Sequence, residues 1–251
     1  MIRLPVLLAT ALLSASPALA REGEAVRPVK IAVVDSGIAR TPLLAPLVVA
    51  EYDMAAVFRE RPAFKPVHDH GTEVATVIAR EARAPIQIYS LRIDTPGKCV
   101  KSDPVCSFLD TNMVAAIDKA VELGVDVINL SIGGEPTPAM KEAIVAASAK
   151  GIKVAIAAGN RPGEPRLKDL ARAGGRNVWL VGAVDEKADP CAFSAAPRNP
   201  DRVGYQFVWR RGAKVETQDM EGKPVKATGT SFSTPFVTAE IASKIAIVRG
   251  R

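Results

Sequence analysis

The chain has 251 residues, 33 Lys and Arg against 27 Asp and Glu, a net charge of +6 and 48% hydrophobic residues, which is enough for one domain with a sizeable core. The cations are scattered among acids rather than gathered in runs, and aromatic residues make up only 5%. That pattern argues against a dedicated nucleic-acid surface, so no nucleic-acid partner is expected.

The chain opens with Arg3, then the apolar run LPVLLATALLSA, then Ala18-Leu19-Ala20. A basic start, a short apolar stretch and a small-residue end read as a secretory signal over residues 1–20, cut after Ala20. Pro5 and Pro17 bracket a run too short to cross a bilayer, so no membrane span is expected in the mature chain, residues 21–251. Export to a periplasm or beyond the cell follows from this reading. It also permits disulfides. Of the three cysteines, Cys99 and Cys106 flank turn-forming residues and are the expected pair, with Cys191 left over. A zinc site built from these cysteines and His68 lacks paired-ligand spacing, so no metal and no cofactor is expected.

Beyond the leader, apolar Val- and Ile-rich runs alternate with helical patterns. VKIAVVD (29–35) predicts a strand that ends at Ser36-Gly37. HGTEVATVIAREAR (70–83) has helical spacing, and IQIYSLRI (86–93) is a second strand. A helix over 111–124 stops at Gly124, and the strand VDVINLSIGG (125–134) follows. A helix over 138–151, the strand IKVAIAAGN (152–160) and the strand NVWLVGAVD (177–185) complete the alternation. The stretch 198–228 is polar and turn-rich, reading as irregular strands, and 231–248 predicts a last helix. Continuous apolar strands alternating with helices predict an α/β fold, a three-layer doubly wound sandwich about a mostly parallel sheet. Ligands then gather at the carboxyl ends of the strands, where Asp35, Ser131, Gly133, Gly134 and Asn160 fall.

Four hydroxyls stand in the five residues 230–234 of GTSFSTPF, just before the last apolar run. A serine becomes a nucleophile only beside a base, and that base must itself be held. The only two histidines are His68 and His70, and His70 opens a helix next to Gly71. Asp35 ends a buried strand, where a carboxylate needs a partner such as an imidazole N–H. Asn160 offers an amide to a developing oxyanion, and the helix start favours negative charge at Ser231. Each piece alone has an ordinary structural reading as a turn or a cap. The order Asp, His, Asn, Ser along one α/β chain is what sets them apart.

In AVVDSG (32–37), HGTEVA (70–75), VINLSIGG (127–134), VAIAAGN (154–160), VGAVD (181–185) and GTSFSTPFV (229–237), the chain resembles the subtilisin-like serine proteases, over about residues 29–245. The resemblance implies a monomeric serine endopeptidase acting on peptides or proteins. Ser231 would be its nucleophile, His70 its base, Asp35 the residue orienting that base and Asn160 an oxyanion donor. It also implies that Ser131-Ile132-Gly133-Gly134, with Ala158 and Gly159, lines the substrate groove, where the peptide adds as a strand. Pro235 is expected within the first turn or so of the last helix, where a missing N–H costs little.

Several features depart from the family's pattern. Glu73 stands where a second histidine is usual, and a helix that runs straight into the next strand leaves no room for a calcium-binding loop there. Only fourteen residues separate Ala20 from Asp35, so no propeptide domain is expected. The loop 161–176 is basic, and Arg210-Arg211-Gly212 replaces the usual turn before the serine motif. Two alternatives stay open at this level: a peptide-binding pseudoprotease, and an esterase or amidase using the same groups. A metal reading of His68-Asp69-His70 competes for the same histidine and would show as inhibition by a chelator.

Overall fold

The computed structural model describes residues 27–55, 61–95 and 108–250. The leader and the expected Cys99–Cys106 pair lie outside the described residues; Cys191, inside them, is a free thiol.

Among the described residues, seven strands form one sheet: β1 (Val29–Asp35), β2 (Val48–Asp53), β3 (Ile86–Arg92), β4 (Val127–Leu130), β5 (Lys153–Ala157), β6 (Val178–Val184) and β7 (Gln206–Arg211). Their order is β2-β3-β1-β4-β5-β6-β7, and every neighbouring pair is parallel. Parallel neighbours require crossovers, and four helices supply them, α1 (His70–Glu81), α2 (Asp110–Glu122), α3 (Pro138–Ala149) and α4 (Lys168–Gly174), while α5 (Thr230–Arg249) follows the last strand.

The alternation of β1 shows how the layers are set. Ala32 and Val34 point into a cluster with Met113 and Ile117 of α2 and Ile144 of α3, while Ile31 and Val33 point into one with Val74 and Ile78 of α1 and Ile241 of α5. Both faces of the strand are therefore covered, which is why it reads as an unbroken apolar run. Burying one such Ile or Val stabilises the fold by about 1.5–3 kcal/mol. The expected three-layer α/β sandwich is present.

β1 has β3 on one side and β4 on the other, so the chain reverses its direction of winding there. A crevice at the carboxyl ends of the strands belongs at such a reversal. Four elements refine the pattern read from sequence. β2 is an edge strand whose register shifts between Val48 and Ala50, which breaks the period-two signal. α4 is a seven-residue helix inside the basic loop. β8 (Val215–Gln218) and β9 (Pro224–Ala227) form an antiparallel hairpin within the turn-rich stretch. α1 stops at Glu81, with Ala82 extended; continuing the helix through Pro85 would set the proline ring against the Glu81 carbonyl.

Candidate active site

Asp35 ends β1 and is 2% exposed. Its Oδ1 accepts from the Ser36 N–H at 2.7 Å and lies 2.8 Å from His70 Nδ1. Among the described residues, Oδ2 of the same carboxylate is buried with no partner. His70 reaches this position because α1 starts hard against the turn after β1. A Cβ on Gly71 would stand 2.3 Å from the Gly37 carbonyl oxygen, so only glycine permits that approach. The Gly71 N–H donates to Ser36 Oγ at 3.2 Å, and the Ala39 N–H donates to Thr72 Oγ1 at 2.9 Å, which pins turn and helix together.

A carboxylate is an acceptor only, so the Nδ1 of His70 carries the proton and Nε2 is left as the acceptor. Burial lowers the affinity of the imidazole for a second proton. The Asp35 charge and hydrogen bond, and then the Glu73 charge, outweigh burial and hold the pKa above its ordinary value. The edge of the ring meets Phe232, with 5.3 Å between centroids.

Ser231 is the second residue of α5 and is 8% exposed. Gly229 before the helix has φ +152°, and a Cβ there would lie 3.0 Å from Asn160 Nδ2 and 3.2 Å from Ser231 Oγ. Those two atoms therefore flank one small space that glycine keeps open. The Asn160 amide is fixed from behind, its Oδ1 accepting from the Thr230 N–H at 2.8 Å and from Thr230 Oγ1 at 3.0 Å. With Oδ1 engaged there, Nδ2 is the amide atom nearer the space beside Gly229. Helix starts leave N–H groups unpaired. Here the Thr230 N–H goes to Asn160 and the Phe232 N–H to Gly229 O, which leaves the Ser231 N–H for a ligand.

Asp35, His70, Ser231, Asn160, Ser131, Ile132, Gly133, Gly134, Ala158 and Gly159 all line one cleft of about 740 Å³. The ladder between β4 and β5 ends at Leu130 and Ile156. Ile132, Gly133 and Gly134 make no backbone hydrogen bond among the described residues, and a Cβ on either glycine would meet nothing within 4 Å. A free strand edge beside open space is what an extended peptide needs. Ser231 Oγ and His70 share the cleft without a hydrogen bond between them. Such bonds are often long in the unliganded state and tighten with substrate. A hydroxyl at a helix start, an imidazole held by a carboxylate, a side-chain amide and a backbone N–H thus share one cleft, and these are the types of group that acyl transfer requires.

Other sequence expectations resolve differently. Among the described residues, no group of three or more His, Cys, Asp or Glu side chains is placed to hold a metal ion. The basic loop is largely neutralised. Arg166 pairs with Glu135, Lys168 with Glu164 at 3.5 Å, and Arg172 with Asp169 at 2.6 Å; Arg161 and the paired Arg166 both line the cleft. Glu73 sits half-buried one turn after His70, and its pKa is raised to about 7. Burial is the first cause; the attraction of His70 opposes it, and Asp69, Asp35 and Asp219 add repulsion. Sequence reasoning missed the hold of Thr230 on Asn160, since a Thr before a helix carries no sign of a partner 70 residues away. It also missed the buried ion pairs Arg92–Asp94 and Arg61–Asp94, both 2.7 Å, although Asp94 forms part of the cleft wall.

A sequence profile described as "Subtilase family" matches residues 27–246. The chain is 33% identical over 133 residues to the Major intracellular serine protease of Bacillus subtilis (strain 168), covering 52% of this chain and 40% of that protein. It is 31% identical over 222 residues to the Intracellular serine protease of Paenibacillus polymyxa, covering 86% of this chain and 66% of that one. The chain thus spans less than two thirds of either relative. Among solved structures, a cold adapted subtilisin-like serine proteinase superposes with a TM-score of 0.68 at 19% identity, over 88% of this chain and 74% of that one.

Proposed function

Because the chain belongs to the subtilase family, we propose that it is an exported serine endopeptidase that cuts peptide bonds through an acyl-enzyme intermediate. The observation that carries this reading is the cleft itself. There, Asp35 holds His70 at 2.8 Å, and the Asn160 amide faces the same small space as Ser231 Oγ.

In this reading the peptide backbone pairs with the free edge at Ser131–Gly134, which sets the scissile carbonyl over Ser231. His70 Nε2 takes the hydroxyl proton as Oγ attacks the carbonyl carbon. The Asn160 Nδ2 and the Ser231 N–H donate to the oxyanion, where preorganised donors act most strongly. Asp35 stabilises the imidazolium and keeps its ring in place. His70 then gives the proton to the leaving amine, and water repeats the cycle on the ester. Each step uses groups of the chain itself, so a chelator is not expected to inhibit.

The two relatives described above are named as intracellular proteases, whereas the proposal of export rests on residues 1–20. The test of export is the N-terminus of the protein recovered outside the cytoplasm. Arg21 as first residue supports cleavage after Ala20, and an intact cytoplasmic chain overturns it. For the chemistry, the chain lacking residues 1–20 is treated with a fluorophosphonate probe, alongside Ser231→Ala and Ser233→Ala. Ser233 Oγ is fully buried and donates to the Thr230 carbonyl at 2.8 Å, so its loss should leave labelling in place. Labelling lost only in Ser231→Ala is the expected result. A folded parent that takes no label would point instead to a peptide-binding protein without catalysis.

A further inference from the structure

We propose that Ser131 is a positioning residue for Ser231, its side-chain hydroxyl substituting for the helical hydrogen bond that Pro235 removes. The proposal rests on the reading of Ser231 as nucleophile. Pro235, expected within the first turn or so, is the sixth residue of α5 and lies inside the helix. A proline there has no N–H to give the carbonyl four residues back, and that carbonyl belongs to Ser231. The neighbouring helical hydroxyls do not replace it, since Ser233 Oγ and Thr234 Oγ1 both donate to the Thr230 carbonyl at 2.8 Å.

The donor comes from across the sheet. Ser131 Oγ donates to the Ser231 carbonyl at 2.8 Å, Asn129 Nδ2 donates to Ser131 Oγ at 2.9 Å, and Thr238 Oγ1 donates to Asn129 Oδ1 at 2.8 Å. Asn129 and Thr238 are fully buried and Ser131 is 3% exposed. Only one proton arrangement satisfies all three bonds. Thr238 has a single hydrogen, and spending it on Oδ1 fixes the Asn129 amide. The amide N–H then occupies a lone pair of Ser131 Oγ, whose own hydrogen is left to point at Ser231. The chain of bonds starts and ends on α5 and passes through β4. The backbone that follows β4 is the free edge in the cleft, so one hydroxyl ties the peptide-docking segment to the nucleophile. Buried polar networks of this kind specify geometry only when every member is satisfied.

The test is a double-mutant cycle on the full chain. Peptide hydrolysis per fluorophosphonate-titrated site is measured for Ser131→Ala in the parent and in a Pro235→Ala background, with Ser231→Ala as control and thermal unfolding recorded throughout. In the parent, Ser131→Ala is expected to lower kcat about 10- to 100-fold with KM held within about twofold, as for a misplaced reacting group. In the Pro235→Ala background a backbone N–H can again reach the Ser231 carbonyl, so the same substitution should cost less than about threefold. An equal loss in both backgrounds, or no loss of kcat in the parent, overturns the proposal. Should Ser131→Ala not fold, Thr238→Val decides. It leaves the cleft intact but frees the Asn129 amide, so a several-fold loss of kcat supports the relay and an unchanged kcat overturns it. Activity or labelling that survives in Ser231→Ala refutes the nucleophile reading instead, which keeps the two failures apart.

Discussion

Asp35 Oδ1 lies 2.8 Å from His70 Nδ1; burial pulls the pKa of the imidazole down, and the Asp35 charge and hydrogen bond, together with the Glu73 charge, outweigh it and hold that pKa above its ordinary value. A base must be neutral to accept a proton, so activity should rise with pH through a limb above the ordinary histidine value of about 6.5. Asp35→Asn removes the carboxylate and offers the ring the wrong tautomer. The expected outcome is a fall in kcat of about 10⁴-fold, the size seen when a triad aspartate becomes asparagine. Any residual activity should show its acid limb at lower pH than the parent's. A pH profile of kcat/KM for both proteins checks this, and an unmoved limb would remove Asp35 from the assignment.

Glu73 makes a separate pH prediction. The groups facing it are Asp69 and His70 on its own helix, Asp35 from β1 and Asp219 beside the β8–β9 hairpin, and its pKa is raised from 4.5 to about 7. A raised carboxylate binds its proton more tightly when folded. Its contribution is therefore most favourable below pH 4.5 and is lost progressively as pH rises to about 7. Glu73→Gln does not ionise and escapes that loss. The Tm of Glu73→Gln minus that of the parent should grow across this window and level off above it. Because the Glu73 charge also holds the His70 pKa up, the acid limb of activity should move to lower pH in the variant. A Tm difference that does not vary with pH would mean Glu73 is solvated.

The sheet was legible in the sequence because both faces of β1, β4, β5 and β6 are covered, and coverage on both sides leaves an apolar run that cannot be mistaken for a loop. β2 was not legible, since an edge strand with a register shift loses its alternation. The residues that gather in the cleft were legible for a different reason. Asp35, His70 and Ser231 each sit at the end of an element and Asn160 in the turn after β5, where a polar residue interrupts an apolar pattern. What sequence could not give is the set of bonds behind them. Thr230 on Asn160 and Ser131 on Ser231 join residues 70 and 100 positions apart, and their spacing carries no period. One local sign was present: a proline four residues after Ser231 marks that carbonyl as lacking its helical donor.

Gly71→Ala tests how closely the backbone must approach for His70 to work. The added methyl would lie 2.3 Å from the Gly37 carbonyl oxygen and 3.2 Å from the Asp35 Cβ. Backbone on one side and a buried aspartate on the other leave no flexible group to give way, so α1 must shift. The expected cost is about 1–3 kcal/mol of stability, as for overpacking elsewhere. A lower kcat should accompany it, because His70 is carried by the same helix turn. Denaturant unfolding and kcat at a temperature where the variant is folded measure the two effects. Parental values for both would mean the junction between β1 and α1 is softer than the geometry implies.

Asn160 has one observed role and one proposed role, and a single alanine cannot separate them. Its Oδ1 anchors the start of α5 through Thr230, and its Nδ2 faces the space beside Ser231 Oγ. Asn160→Ala removes both and should lower kcat by about 10²–10³-fold with little change in KM. That magnitude is the one measured for the oxyanion asparagine of subtilisin and is not read from this geometry. Asn160→Asp resolves the ambiguity. An aspartate can still accept from the Thr230 N–H and hydroxyl, so the anchor survives, yet it has no donor for the oxyanion and places a like charge beside it. If the amide acts as an oxyanion donor, Asn160→Asp must be at least as damaging to kcat as Asn160→Ala, while its Tm stays nearer the parent's. Should Asn160→Asp instead keep most of the activity that Asn160→Ala loses, the residue serves only as the clamp on Thr230. The oxyanion would then depend on the Ser231 N–H and the first turn of α5.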